Sequence, residues 1–377
     1  MKTIFYLSII ALIIFEIANV YFIMPFPGSQ VAETIDLAYI LYSWRWVFRS
    51  VFLITLLLGL FKAQWKKKWI LAIPLVLLSA VLYMVNFVMS ADKIFTQPEK
   101  ILMVNVRNNT VDTNRLIIGV VDNGMAKAYP IQFLGYHHFV YDTLNNKPLL
   151  ITYCTVCRTG RVFDPTINGK VEQFRLVGMD HFNAMIEDAS TKSWWRQSTG
   201  EAITGERKGT SLTEIHSTQT TLSQWLKMYP QSRIMQADNA TIKNYDTSFH
   251  YENGTNKNSL TGTDRQSWKD KSWVVGVKIG KKSKAFDWNE LLQKRILHST
   301  IDTTHLFVVV SNDNKSFFAY QYNSNSVPKI INDTIVINSN TYTVNGKGIN
   351  NSIQLKPLNA YQEFWHSWRT FQPGTLK

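Results

Sequence analysis

The sequence predicts three N-terminal transmembrane α-helices followed by a β-rich α+β soluble domain containing a duplicated strand–helix–strand unit. Three observations carry this expectation. Three long apolar runs fill the first ninety residues, short β-like runs separated by Asn, Gly and Asp turns fill the rest, and one stretch of the latter recurs further along. At 377 residues the chain can hold more than one folded unit.

The apolar runs are Ile4–Met24, roughly Ala38–Phe61, and Trp69–Met89. Each is long enough to cross a hydrocarbon core of about 30 Å as a helix. A cleaved signal peptide is the competing reading of the first run, which follows Lys2. Tyr21-Phe-Ile-Met-Pro-Phe-Pro offers no small-x-small cleavage site, however, and two more apolar runs follow. The expected organisation is a membrane anchor over 1–98, with helices near 4–24, 38–61 and 69–89, then a soluble domain over 99–377.

Orientation follows from the loops. Lys62–Lys68 carries four lysines in seven residues, whereas Pro25–Asp36 carries Glu33, Asp36 and no basic residue. The positive-inside rule places Met1 and the lysine loop in the cytoplasm of a plasma (inner) membrane, with the C-terminal domain periplasmic or extracellular. Arg45 and Arg49 run against this, near the outer end of the second span. They are expected to snorkel or to face an aqueous or protein-lined contact.

The net charge of +13 invites a nucleic-acid reading. Several of those charges are the orienting lysines, and no basic helix or aromatic–basic stacking platform accompanies the rest, so nucleic acid is excluded as a partner. A membrane is the expected partner, and a small molecule or protein is left open.

Within the soluble part, Leu116-Ile-Ile-Gly-Val…Ala126-Lys-Ala-Tyr…Leu134 aligns with Trp273-Val-Val-Gly-Val…Ser283-Lys-Ala-Phe…Leu291. The match continues without a gap to Phe163 and Tyr320, giving copies near 115–164 and 272–321. Cys154 falls on Ser311 and Cys157 on Asn314. The second copy therefore dispenses with thiols, and the cysteines read as a site added to the unit. The C-terminal stripe of Tyr361, Phe364, Trp365, Trp368 and Phe371 reads as core packing.

Cys154 and Cys157 are the chain's only cysteines, spaced C-x-x-C between strand-like runs. A thiolate pair on a tight turn suits copper or zinc, and His137, His138 and His181 are candidates to complete a metal site, with Met179 and Met185 as further sulfur donors. Thiol redox chemistry is the parallel reading, with Arg158 and Arg161 available to stabilise a thiolate. The bland alternative is a structural disulfide in a non-catalytic ligand- or protein-binding sensor module; a C-x-x-C closes only a small loop, so its stabilisation is modest. His181 beside Asp180 reads equally as an oriented base or a hydrogen-bonded core histidine. Asp188 beside Glu187 reads as an acid/base pair or as surface carboxylates.

The segments TYCTVCRTGRVFDP, GMDHFNAMIEDASTKSWWRQSTGEAITG, TLSQWLKMYPQSRIM and FWHSWRTFQPGT together resemble a bacterial domain-of-unknown-function family. Its motifs run Tyr-Cys-x-x-Cys-x-Thr-Gly, then Asp-x-x-Thr-x-Ser-x-Trp-x-Gln-x-x-Gly-Glu-Ala-x-x-Gly, then Trp-x-x-x-x-Pro. The resemblance covers most of residues 115–372. It points to Cys154, Cys157, Gly160, Asp188, Ser193, Trp195, Gln197, Gly200, Glu201 and Gly205 without supplying a reaction.

Overall fold

Unbroken apolar sequence with few turn formers folds the first ninety residues as helices: Lys2–Tyr21 (α1), Ile35–Ser43 (α2), Arg45–Lys62 (α3) and Ala72–Tyr83 (α4). The computed structural model describes residues 1–323, 326–350 and 352–377. Two of its helical stretches, Lys2–Tyr21 and Lys68–Val88, are long and apolar enough to cross a membrane. The expected span near 38–61 is instead the pair α2 and α3, bent by 59°. At the bend the guanidinium of Arg45 donates to the carbonyl of Tyr42 (2.6 Å), a side chain entering the backbone ladder, which is an ordinary cause of a kink.

The chain divides into two compact units whose boundaries differ from the expected 1–98 and 99–377. The first comprises residues 1–96, 172–196 and 201–211. Its helices are joined by a three-stranded antiparallel sheet of Phe174–Asp180, Asn183–Asp188 and Trp194–Arg196. Ile23, Ala38, Val177, Met185, Trp194 and Ile203 form a shared core. Among the helices, Glu16 is fully buried and takes two hydrogen bonds from Arg49 (2.6 and 2.7 Å) and one from Asn86 (3.1 Å). A buried charge is tolerable when it is paired and hydrogen-bonded in this way.

The second unit, residues 97–171, 197–200 and 212–377, folds the same way twice. The elements starting at Leu116, Met125, Ile131, Phe139 and Lys147 recur 157 residues later, starting at Trp273, Lys282, Trp288, Ile296 and Thr304. Registers recur too. Gly119 pairs with Ala128 as Gly276 pairs with Ala285, and Leu150 pairs with Phe163 as Phe307 pairs with Tyr320.

The likeness extends beyond the runs matched in sequence. The strand Thr218–Thr221 and helix Leu222–Met228 correspond to Ala360–Phe364 and Trp365–Phe371. Each helix lays a tryptophan over its copy's glycine. A Cβ on Gly119 would stand 2.3 Å from the ring of Trp225, and one on Gly276 2.3 Å from the ring of Trp368. The indole N–H groups are satisfied alike, Trp225 donating to Ser232 (2.8 Å) and Trp368 to Thr375 (2.9 Å). Even the parallel pairing repeats, Arg233 with Lys127 and Leu376 with Lys284.

The copies are laced together reciprocally. In each, two strands form a hairpin: Lys147–Cys154 with Thr159–Asp164, and Thr304–Val310 with Phe317–Tyr322. The first hairpin's loop is capped by the second copy, through Phe364 N–H donating to the Cys157 carbonyl (3.0 Å). The second loop is capped by the first copy, where Thr221 N–H donates to Ser316 Oγ (3.0 Å) and Thr221 Oγ1 to Asp313 Oδ2 (2.9 Å).

Candidate functional site

The cysteines sit where the first hairpin turns. The strand Leu149-Leu-Ile-Thr-Tyr-Cys is buried on both faces, Cys154 pairs with Thr159, and Arg158 takes the left-handed conformation (φ 57°) that closes the loop. Both sulfurs are fully buried thiols. A hydrogen bond joins them. Burial pushes the Cys157 thiol well above the ordinary cysteine range, and the bond with Cys154 adds to the shift. The hydroxyl of Ser367 opposes it, while the carboxylate of Glu363 adds a smaller upward push.

Around the thiols lies a charged network drawn from the other copy. Arg161 donates to Glu363 Oε1 (2.5 Å), and Ser367 donates to Glu363 Oε2 (2.9 Å). A hydroxyl has one proton. The Glu363 carboxylate and a Cys157 thiolate therefore compete for that proton. The Arg161 guanidinium also lies 3.4 Å over the Tyr361 ring, and Tyr361 donates to Glu214 (2.6 Å).

Two cations flank the loop without a carboxylate in ion-pair contact among the described residues. Lys271 donates to the carbonyls of Val156 (2.9 Å), between the cysteines, and Leu260 (2.5 Å), and its nitrogen lies 3.4 Å from His366 Nε2. Burial lowers its pKa, and the two thiols are the largest influences acting the other way. His366 is pushed down to about 4, first by burial and then by the Lys271 charge. Arg158, fully buried, donates to Gln362 (2.9 Å) and the Tyr251 carbonyl (3.1 Å) and lies 3.7 Å over Trp273. Its Nη2 has no hydrogen-bond partner among the described residues.

Of the residues nominated from sequence, Cys154, Cys157, Arg158 and Arg161 come together here. Gln197 stands behind them, donating to Thr152 (2.8 Å) and to the Thr159 carbonyl (3.1 Å). The histidines are engaged otherwise. His137 shares a hydrogen bond with Tyr245 (2.7 Å), and His138 one with the Tyr153 carbonyl (3.2 Å), its pKa driven down to about 4 by burial. In the first unit, His181 bonds Asp180 (2.8 Å), which raises its pKa, and Met185 is core. Met179, on the neighbouring strand, pairs with Ala184. Among the described residues no group of three or more His, Cys, Asp or Glu is placed to hold a metal ion.

The Asp-x-x-Thr-x-Ser-x-Trp motif forms a knot within the first unit. Asp188 accepts from Thr191 N–H (2.6 Å), from Thr191 Oγ1 (2.9 Å) and from Trp195 Nε1 (2.8 Å). Asp188 and Glu187 are thus buried rather than surface carboxylates, and Asp188 forms the turn. The Glu201 carbonyl accepts a main-chain hydrogen bond from Arg196 N–H (2.9 Å), and Glu201 bridges to Ser211.

Sequence reasoning missed Lys271, Glu363, His366 and Ser367. One signal was available: Trp225-x-x-x-x-Pro230 and Trp368-x-x-x-x-Pro373 share a spacing and mark the two covering helices as equivalents.

No curated protein and no solved structure matches the chain. Residues 97–375 match a family described as "Protein of unknown function (DUF3179)". That match takes in the whole duplicated unit and the dithiol at its centre, and the chain belongs to this family.

Proposed function

We propose that this is a membrane-anchored extracytoplasmic dithiol protein in which Cys154 and Cys157 cycle between dithiol and disulfide. The observation that carries the reading is the pairing of two hydrogen-bonded thiols on a loop ringed by Ser367, Lys271 and Arg158, where the equivalent loop has Ser311 and Asn314. In the exchange, which needs the cover around Phe364 and Ser367 to part from the buried sulfurs, one thiolate attacks a sulfur of an external disulfide and the second attacks the resulting mixed disulfide. The external dithiol leaves with two electrons and two protons from the pair. Lys271 supplies positive charge to the thiolate, and Ser367 redirects its proton toward it. The anchor comprises three spans, with the bent α2–α3 pair counted as one. Met1 and the lysine loop are cytoplasmic.

The test is thiol counting on the full-length protein in detergent, equilibrated in redox buffers and alkylated after denaturation. A single two-thiol transition, lost in Cys157→Ser, is expected. Thiols that stay in one state at every poise overturn the reading. The soft-metal alternative is checked on the same preparation by elemental analysis after exposure to copper(I) and zinc. Stoichiometric copper that disappears in Cys154→Ser would move the assignment from redox to metal binding.

A further inference from the structure

Within the first unit, a cavity of about 110 Å³ opens among the ends of α1 and the Lys68–Val88 helix, the bend between α2 and α3, and the strand Phe174–Asp180. One water needs only ~10–15 Å³ of such space, so the cavity admits a larger polar group. Asn19, Tyr42, Arg45, Arg49, Asn86 and Arg175 supply its polar lining.

The three arginines are not alike. Arg49 is held by Glu16 and Asn86, and Arg175 by Glu187 (2.8 Å) and Asp92 (3.4 Å). Arg45 has no carboxylate in ion-pair contact among the described residues. It gives one bond to the Tyr42 carbonyl and lies 3.8 Å over the Tyr42 ring. A guanidinium has five N–H donors, so most of the capacity of this half-buried, cavity-lining side chain is not taken up by the described residues. The second unmet group is an acceptor. Asn19 Nδ2 donates to the Phe15 carbonyl (2.9 Å), which leaves Oδ1 buried with no hydrogen-bond partner among the described residues. Trp44, Trp46 and Tyr83 are exposed around these helix ends, as the aromatic residues of a membrane–water interface are. An open cation and an open acceptor at that depth complement one ligand class.

We infer that the cavity binds the headgroup of a phospholipid, its phosphodiester on Arg45 and a headgroup hydroxyl or ammonium on Asn19 Oδ1. This also accounts for an arginine that the topology leaves on the unexpected side of the membrane. The inference rests on the membrane reading of the helices.

The test is native mass spectrometry of the full-length protein in mild detergent, with dioleoyl phosphatidylglycerol, phosphatidylethanolamine or phosphatidylcholine added, and separately with inorganic phosphate. Phosphatidylglycerol and phosphatidylethanolamine are expected to be retained over phosphatidylcholine, which has no headgroup donor. Arg45→Gln is expected to lower retention about tenfold, the loss of one charge-assisted contact, with Arg45→Lys in between. Asn19→Ala is expected to erase the preference over phosphatidylcholine. Equal retention by wild type and Arg45→Gln, or displacement of lipid by millimolar inorganic phosphate, overturns the inference alone. A chain extracted from membranes by carbonate without detergent overturns it together with the membrane reading.

Discussion

Gln219 Nε2 donates to Gln362 Oε1 across 3.2 Å, and the two glutamines hold the same position in the two copies of the repeat. Gln219 pairs with Ile118 next to Gly119, and Gln362 pairs with Val275 next to Gly276. A contact between equivalent residues is the mark of a two-fold axis. Here the axis relates two parts of one chain, and Arg158 reaches the same Gln362 oxygen, tying the dithiol loop to that axis.

The paired glycines give matched mutants. Gly119→Ala and Gly276→Ala each drive a methyl into a tryptophan ring, and overpacking of this kind costs about 1–3 kcal/mol. Chemical unfolding of the full-length protein in detergent should show similar losses for both. A loss at only one glycine would argue against equivalent packing of Trp225 and Trp368.

Alkaline pH should destabilise the protein through Cys157. Its folded pKa is raised, so above the unfolded cysteine value of about 8.5 the unfolded state releases a proton that the native state keeps, and stability falls as pH rises. Tyr153, raised to about 12 by burial, continues the loss at higher pH. Lys271, with a lowered pKa, acts in the opposite direction. Cys154→Ala/Cys157→Ala should flatten the decline between pH 8 and 10, read from urea midpoints across that range.

Acid should act through His138 and His366, both held near 4 by burial. Between the unfolded histidine value of about 6.5 and pH 4, the unfolded state binds protons that the native imidazoles refuse, so stability falls as pH drops. His366→Gln should remove part of this acid sensitivity. The melting temperature followed from pH 7 to 4.5 decides the matter.

Glu363→Gln separates charge from packing at the thiols. Removing the carboxylate takes from Arg161 the nearer of its two ion-pair partners, Glu214 standing at 3.6 Å, and breaking a buried pair costs up to about 3–5 kcal/mol. It also removes a negative charge beside Cys157, so the thiolate should form at lower pH. Thiolate ultraviolet absorbance against pH, on protein shown to be folded, should shift downward.

Asp188→Ala should destabilise without touching thiol chemistry. It leaves the Trp195 indole N–H buried and unpaired, at a cost of about 1–3 kcal/mol. Stability measured beside thiol redox cycling should move alone.

The sequence made the dithiol, its flanking arginines and the outline of the repeat legible, because each lies in a continuous run with its own periodicity or spacing. The cover over the thiols was not. Glu363 and Ser367 reach Cys157 from about two hundred residues away, and their segment advertised only apolar packing through Trp365 and Trp368. The histidines illustrate the converse. His138 lies opposite Tyr153, one residue from Cys154, yet its ring nitrogen is turned to a backbone carbonyl. Proximity along a hairpin does not set where an imidazole points.

The reciprocal capping of the two hairpin loops makes the second unit a dimer fused into one polypeptide. In a dimer of identical chains, every change to one loop is imposed on both. Fusion lifts that constraint, so one loop can carry sulfur while its counterpart carries Ser311 and Asn314. It also sets the smallest piece that keeps the loop capped: a fragment ending before Ala360 would keep both cysteines and lose the strand that closes over them.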